Sequence, residues 1–358
     1  MSLRLADEPG RHDTRPSRHH RSPRVQPLFD LNLSENPFPP LPSVLRAVNT
    51  ALTQANRYPE FLPRRLPAVI AQHVGVRSDQ VVVGSGATGV AMQILQSVAT
   101  PGAEIVYGAP TFDGYPILAE MTGVEAVPVP LDVAGNQDLW AMRRAIGKRT
   151  ALVVVCRPHN PTGTAIPASE LKAFLSGVPT RVPVILDEAY MEFLGAAEYV
   201  DPLPLISRYR NLLVLRTFSK AYGLAGLRIG YAFGSSELIA RVRRLQLPFG
   251  MGAAAVAAVC ASYAAEPELA ERTLRITAER DSLRSALCDR GMAVPRSHAN
   301  FLYLPGPGVA TALRRAGIVA KSYPDGSARI AVGDPDAGHA VLRALDGSRP
   351  VAEVDFAP

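Results

Sequence analysis

Only four lysines occur in the 358 residues, Lys148, Lys172, Lys220 and Lys321, so a reaction that needs a lysine amine has few candidates. Lys220 has the least ordinary setting: Arg216-Thr-Phe-Ser-Lys220-Ala-Tyr-Gly-Leu-Ala-Gly-Leu-Arg228-Ile-Gly. Small and aromatic residues surround it, Ser219 adjoins it, and Arg228 follows eight positions later. A lone lysine is ordinarily a solvated surface group. A buried one has a lowered pKa and attacks aldehydes. Ser219 and Arg228 offer a hydrogen bond and a charge to a phosphate.

Three further segments carry chemistry. Gly84-Ser-Gly-Ala-Thr-Gly89 follows the apolar run Val81–Val83 and opens a helical stretch. Free N–H groups at such a helix start bind phosphate. The segment also fits GxGxxG, a weak dinucleotide pattern when alone. The acidic residue that pattern requires, Glu104, precedes its strand instead of ending it, which argues against a nicotinamide cofactor. Asn160-Pro-Thr-Gly163 follows Ala151–Val155 and could be a bare turn, or could hold an amide rigidly toward a ring oxygen. Asp187-Glu-Ala-Tyr190 follows Pro183–Leu186. A carboxylate ending a buried strand needs a partner. A helix N-terminus is one such partner; a cationic ring nitrogen is another.

The elements that must position these groups alternate along the chain. Short β-branched runs lie at Val81–Val83, Glu104–Tyr107, Val124–Val129, Ala151–Val155, Pro183–Leu186, Leu212–Leu215 and Ile229–Phe233. Helical stretches separate many of them, Gly89–Val98 among these, and a helix is also predicted over Pro42–Gln54. Strands alternating with helices predict an α/β fold: a mostly parallel seven-stranded sheet with helices on both faces. After Pro248 a long alanine-rich helical stretch, Gly252–Arg290, leads to short strands around Phe301–Leu304, Ile318–Lys321 and Arg329–Val332. This reads as a smaller C-terminal α/β domain. The expected division is a basic disordered tail over 1–26, an extended proline-rich arm over 27–45, a large domain over 46–248 and the small domain over 249–358.

Composition narrows the function classes. Hydrophobic residues make up 47% and charged residues 20%, as in ordinary globular proteins. No apolar run is long enough for a membrane span, and no secretory leader is evident, so a cytoplasmic location is expected. Cys156, Cys260 and Cys288 form neither a CxxC pair nor a metal-ligand spacing, and no metal is expected. The net charge of +6 owes much to six arginines within the first 30 residues. Such an arm can touch nucleic acid, but without interleaved aromatic residues a solvated extension is the expected reading.

Taken together, Ser219-Lys220…Gly226-Leu-Arg228, Asn160-Pro-Thr-Gly163 and Asp187-Glu-Ala-Tyr190 resemble the fold-type I pyridoxal-phosphate aminotransferases of class I/II, in order and in spacing, over roughly residues 28–345. Within that family the chain resembles the histidinol-phosphate and aromatic amino-acid aminotransferase branch, through Leu33-Ser-Glu-Asn-Pro37, Asn56-Arg-Tyr58-Pro, Pro110-Thr-Phe112, Ala299-Asn-Phe301 and Arg329-Ile-Ala-Val-Gly333. The resemblance implies pyridoxal 5'-phosphate held on Lys220 as a Schiff base, with the freed amine later shuttling a proton. Asp187 would face the ring nitrogen, Asn160 and Tyr190 the ring oxygen, and Phe112 would stack on the ring. Gly86, Ala87, Thr88, Ser219 and Arg228 would hold the phosphate, joined by Tyr58 from a second subunit of a homodimer. Arg329 would grip the substrate carboxylate, with Lys321 and Asn36 also on the substrate side. The reaction implied is ping-pong transfer of an amino group between an L-amino acid and a 2-oxo acid. The chain departs from the pattern at Thr88-Gly89, where an acidic pair is frequent, at Lys321, where many histidinol-phosphate enzymes have Arg, and in the short loop between Lys321 and Arg329. These departures favour aromatic substrates or recruitment to another 2-oxo acid. A pyridoxal-phosphate decarboxylase or lyase on the same frame is the alternative.

Overall fold

The computed structural model describes residues 28–346. The basic tail expected over 1–26 lies outside the described residues.

All seven β-branched runs form strands, and they join one sheet. Phe29–Asp30 (β1) precedes them. The seven are Val81–Ser85 (β2), Glu104–Ala109 (β3), Glu125–Pro130 (β4), Thr150–Cys156 (β5), Val184–Asp187 (β6), Leu212–Thr217 (β7) and Ile229–Gly234 (β8). Their order across the sheet is β2-β8-β7-β6-β5-β3-β4. Every adjacent pair is parallel except those made by β8, which runs antiparallel to both β7 and β2. Continuous apolar runs suit a sheet covered on both faces, because successive side chains point to opposite sides. Leu152 and Val154 enter one core with Val90, Ile94 and Tyr115. Val153 and Val155 enter the other with Leu171, Phe174 and Leu205. Each such side chain contributes about 1.5–3 kcal/mol on burial.

Three expectations shift in detail. The helix after β2 starts at Gly86, not Gly89. Gly86 has φ +71, which turns the chain straight from strand into helix, so the glycine segment is the first helical turn. The stretch Gly252–Arg290 is two helices, Ala253–Ala264 and Glu266–Cys288, broken at Ala265 with φ −112. Pro267, in the first turn of the second helix, has no N–H to continue the first. The segment Ile318–Lys321 divides between two sheets.

The later strands are Phe301–Leu304 (β9), Ile318–Val319 (β10), Lys321–Ser322 (β11) and Ala328–Ala331 (β12). β10 pairs in parallel with β1, so the N-terminal arm is stitched to the C-terminal part of the chain. β11, β12 and β9 form a separate antiparallel sheet in that order. The helix Pro42–Leu52 packs on Ala253–Ala264, tying the two halves together a second time.

The topology sets up one edge. The carboxyl ends of β2, β3, β5, β6 and β7 all point the same way, and antiparallel β8 begins at that edge. Loops leaving these ends are where open α/β sheets bind ligands.

Candidate active site

A cleft of about 570 Å³ opens at that edge, lined among others by Ala87, Thr88, Phe112, Asn160, Asp187, Tyr190, Ser219, Lys220, Arg228, Lys321 and Arg329. The sequence places these residues on separate loops, and the sheet converges them.

One end of the cleft suits a phosphate. The helix Gly86–Val98 has no side-chain cap at Ser85, which leaves first-turn N–H groups free. The β2–β8 register, Ser85 opposite Ile229, sets Gly86 beside Arg228. Gly86 N–H donates to the Arg228 carbonyl at 2.9 Å. A Cβ on Gly86 would lie 2.2 Å from Arg228 Nη2, so only glycine lets the guanidinium close over the helix start. Arg228 adopts φ 52, a left-handed conformation that costs a non-glycine residue roughly 1 kcal/mol and is found where function holds it. Its Nη1 reaches Ser219 Oγ at 3.4 Å, and Thr217 Oγ1 donates to the same Ser219 oxygen at 2.9 Å.

The floor carries Asp187, at the end of β6 and only 8% exposed. Burial pushes its carboxyl above the usual range, opposed by the Tyr115 hydroxyl, the Ala189 N–H and the nearby Lys220 charge. Tyr115 Oη donates to Asp187 Oδ2 at 2.5 Å, and Ala189 N–H donates to Oδ1 at 3.0 Å. Asp187 does not cap a regular helix; the chain continues into a turn and the short 3-10 segment Met191–Phe193. Behind it Glu188 accepts two bonds from buried Arg216, at 2.9 and 2.8 Å.

Lys220 is half-buried. Its Nζ donates to the Ser34 carbonyl at 2.9 Å and lies 5.6 Å from the centre of the Tyr190 ring. Lys220 is thus less enclosed than its sequence setting suggests. Tyr190 is buried against Phe301, ring centres 5.1 Å apart and nearly perpendicular. Asn160 Nδ2 approaches Tyr190 Oη at 3.5 Å. Phe112 stands edge-on to Tyr115 at 5.8 Å. Gly114 makes room for it, since a Cβ there would meet the Phe112 ring at 2.2 Å.

Arg329, on β12, is 7% exposed. It donates to Asn160 Oδ1 at 2.6 Å and to the Asn32 carbonyl at 2.8 Å, while its buried Nε has no partner. Arg329 lines the cleft, and a guanidinium that keeps an unpaired donor suits a carboxylate ligand. Lys321, on β11, pairs with Asp113 across the mouth of the cleft.

Three candidates lie off the cleft lining: Gly86, which sits beneath the Arg228 guanidinium, Asn36 and Tyr58. Asn36 faces the chain under Lys220, donating to the carbonyls of Lys220 at 3.2 Å and Ala221 at 2.9 Å. Tyr58 is 85% exposed and rests on Phe249, ring centres 4.7 Å apart. Sequence reasoning missed Tyr115, Thr217, Asn32, Tyr323 and Asp113. Tyr115 follows Phe112 by three positions, a spacing that faces one side of a helical turn and could have marked it. The others carry no local signal. Glu104, the residue tested for a dinucleotide, starts β3 at the opposite edge and pairs with Arg149 at 2.5 Å. Among the described residues, no three His, Cys, Asp or Glu side chains gather to hold a metal.

A phosphate cradle, a buried carboxylate beneath a cleft, an amine on the next loop and an unpaired guanidinium donor fit the pyridoxal phosphate and amino acid that the resemblance implies.

Comparison with known proteins agrees. The sequence pattern of the family described as "Aminotransferase class I and II" matches residues 26–345. An aromatic amino acid aminotransferase of Rhodococcus opacus is 42% identical over 313 residues, covering 86% of this chain and 87% of its own length. One from Cutibacterium acnes is 46% identical over 274 residues, covering 76% and 78%. The crystal structure of histidinol-phosphate aminotransferase from Sinorhizobium meliloti, in complex with pyridoxal-5'-phosphate, superposes with a TM-score of 0.82 at 28% identity, covering 89% of this chain and 90% of that one.

Proposed function

The chain belongs to the class I and II aminotransferase family, and on that premise we propose that it transfers the amino group of an aromatic L-amino acid to a 2-oxo acid in the cleft at the sheet edge. The observation that carries this reading is the convergence of Lys220, Asp187 and the Gly86–Arg228 cradle from three loops onto one cavity. When bound, pyridoxal 5'-phosphate supplies an aldehyde for the substrate amine and an electron-withdrawing ring beside the α-carbon.

The chain's residues then divide the work. Ala87 and Thr88 N–H groups, Ser219 and Arg228 hold the phosphate. Asp187 would face the ring nitrogen, where its carboxylate would keep that nitrogen protonated. Asn160 and Tyr190 would donate to the ring oxygen, and Phe112 would cover one ring face. Arg329 orients the substrate carboxylate. The Lys220 amine would take the proton from the substrate α-carbon as base and later give it up as acid. Asn36 braces the Lys220 loop through its two carbonyl contacts. Leu33, Phe112 and Tyr323 give the outer end an apolar, aromatic wall, and the relatives' names support an aromatic side chain there.

Two copies pair, with Tyr58 of each reaching the other's phosphate. The exposed apolar group Tyr58, Phe61, Leu247 and Phe249 supports this. The division into a cofactor-holding unit over 46–248 and a smaller unit from 249 belongs to the same reading. It is supported by the confinement of the large sheet to Val81–Gly234 and of the small one to Phe301–Ala331. No helix of the described residues is long and apolar enough to cross a membrane. A cytoplasmic setting accompanies the three free thiols.

The test uses the full chain. Purified protein is expected to be yellow, dimeric by light scattering and active with phenylalanine or tyrosine as donor. Lys220→Ala should remain dimeric while losing the colour and transamination. Retained activity in that variant overturns the assignment of Lys220, and an inactive yellow wild type with every aromatic donor overturns the substrate class.

A further inference from the structure

Among the described residues, two that are not glycine adopt positive φ, Arg228 and Phe249. Arg228 closes over the phosphate cradle. Phe249, at φ 56, lies in the stretch between the helices Ser236–Arg243 and Ala253–Ala264. There Gly250 N–H closes a turn onto the Leu247 carbonyl at 3.2 Å, with Pro248 and Phe249 as its central pair. A turn with positive φ at its third residue favours glycine or asparagine. A bulky residue there is disfavoured, because its Cβ crowds the backbone. Some contact of the Phe249 ring must offset that crowding.

The contacts lie on the segment that carries Tyr58. The Phe249 ring centre is 4.7 Å from that of Tyr58 and 5.2 Å from that of Phe61, edge-on to the latter. Phe249 N–H donates to the Phe61 carbonyl at 2.8 Å. Between the two rings, Glu60 is fastened the other way. Its Oε2 accepts the Arg64 and Arg65 N–H groups at 2.8 and 3.1 Å, at the start of the helix Arg65–Val74. Polar contacts thus fix Glu60 and Phe61, and the stack on Phe249 extends that hold to Tyr58. Little else encloses the Tyr58 ring, which is 85% exposed and absent from the lining of its own cleft.

We propose that Phe249 is a positioning residue: stacked on Tyr58 of its own chain, it holds that ring in the outward pose from which the hydroxyl reaches the cofactor phosphate of a second copy. This rests on the aminotransferase and pairing reading above, and adds what aims Tyr58. The left-handed conformation lets Phe249 set its ring against Tyr58 while its N–H keeps the Phe61 carbonyl. Aromatic pairs of this kind bias a local equilibrium by about two- to tenfold. Each phosphate then depends on two residues held at positive φ: Arg228 of its own chain and, through Tyr58, the partner's Phe249.

Phe249→Gly isolates the ring, because glycine suits the turn and keeps both backbone hydrogen bonds. The holoenzyme of this variant should stay dimeric by light scattering and release its cofactor about five- to tenfold faster on dilution, followed by absorbance. Phe249→Tyr should keep the wild-type rate. Tyr58→Phe should release cofactor at least as fast as Phe249→Gly, and combining the two should add little. Hybrid dimers place the effect. One copy carries Lys220→Ala, so that only the other holds the coloured cofactor. Phe249→Gly should speed release when it sits in the Lys220→Ala copy, and not when it sits in the coloured copy. An unchanged release rate in Phe249→Gly overturns the proposal. So do a monomeric Phe249→Gly, a Phe249→Tyr that loses cofactor equally fast, an undiminished loss in the Tyr58→Phe background, and a hybrid whose loss follows the coloured copy. The wild type and Tyr58→Phe report on the underlying reading by themselves. A colourless or monomeric wild type ends both readings, and a Tyr58→Phe that keeps the wild-type rate ends the Tyr58 assignment and this one with it. If those controls behave and the Phe249→Gly arm fails, the positioning role alone falls.

Discussion

Asp187 is under two opposing influences: burial favours its neutral acid, and the proposed cofactor role, facing a cationic ring nitrogen, requires its anion. The balance is struck by Tyr115, whose hydroxyl donates to Oδ2, and by the Ala189 N–H on the other oxygen. Burial holds the Tyr115 phenol well above its ordinary pKa, so it remains a donor. Tyr115 thus acts through Asp187 as a positioning residue. Tyr115→Phe removes one hydrogen bond to a charged acceptor, which is worth roughly 1.5–3 kcal/mol. We expect cofactor affinity to fall about tenfold or more, with the loss growing toward low pH as Asp187 becomes easier to protonate. Fluorescence titration of the apoprotein across pH would show it. A uniform loss at every pH would mean the ring packs there and does nothing to the carboxylate.

At the scale of elements, the phosphate cradle depends on how closely β8 approaches the start of the helix Gly86–Val98. A Cβ on Gly230 would lie 2.2 Å from the Ala87 nitrogen and 2.3 Å from the Gly86 carbonyl carbon. Those neighbours are backbone and cannot swing aside. Gly230→Ala must therefore separate strand from helix, at an overpacking cost of about 1–3 kcal/mol. Its Tm should drop, and the added stability from cofactor should shrink with it. By contrast, a Cβ on Gly226 meets nothing within 4 Å, and Gly226→Ala should leave stability within about 0.5 kcal/mol of wild type. Equal thermal losses in the two variants would show that local helix or turn propensity, not the approach of β8, governs this region.

Among the described residues, buried His159 and half-buried Glu192 have effects on stability that oppose each other. Burial lowers His159 from 6.5 to about 3 and raises Glu192 from 4.5 to about 7. Between about pH 4.5 and 6.5, His159 gains its proton only on unfolding, so its contribution is lost as pH falls. Glu192 is protonated when folded and ionises on unfolding, so its contribution is lost as pH rises. Each slope is roughly 1.4 kcal/mol per pH unit, and over this window the two nearly cancel. Urea unfolding at several pH values should separate them. Relative to wild type, His159→Gln should gain stability as pH falls, and Glu192→Gln should lose it. Parallel curves for all three proteins would refute the opposing protonations.

Much of the fold and the site was legible in the sequence because their causes are local. Continuous β-branched runs specify strands buried on both faces, and all seven runs formed them. The Lys220, Asp187, Asn160 and glycine segments stood out because each ends such a run, where loops must fall. The break at Ala265 was readable in principle from Pro267. Other features depend on contacts between residues far apart in the chain. Tyr115 reaches Asp187 across 72 positions and Lys321 reaches Asp113 across 208. Asn36 turns to the chain beneath Lys220, 184 positions away, although its motif implies a place on the substrate side. The sequence by itself determined which residue types end the strands, and so the cofactor and the reaction class. Only the tertiary structure decided which partner each charge received, because partners across the cleft are chosen by sheet order and docking, and neither leaves a periodic trace along the chain.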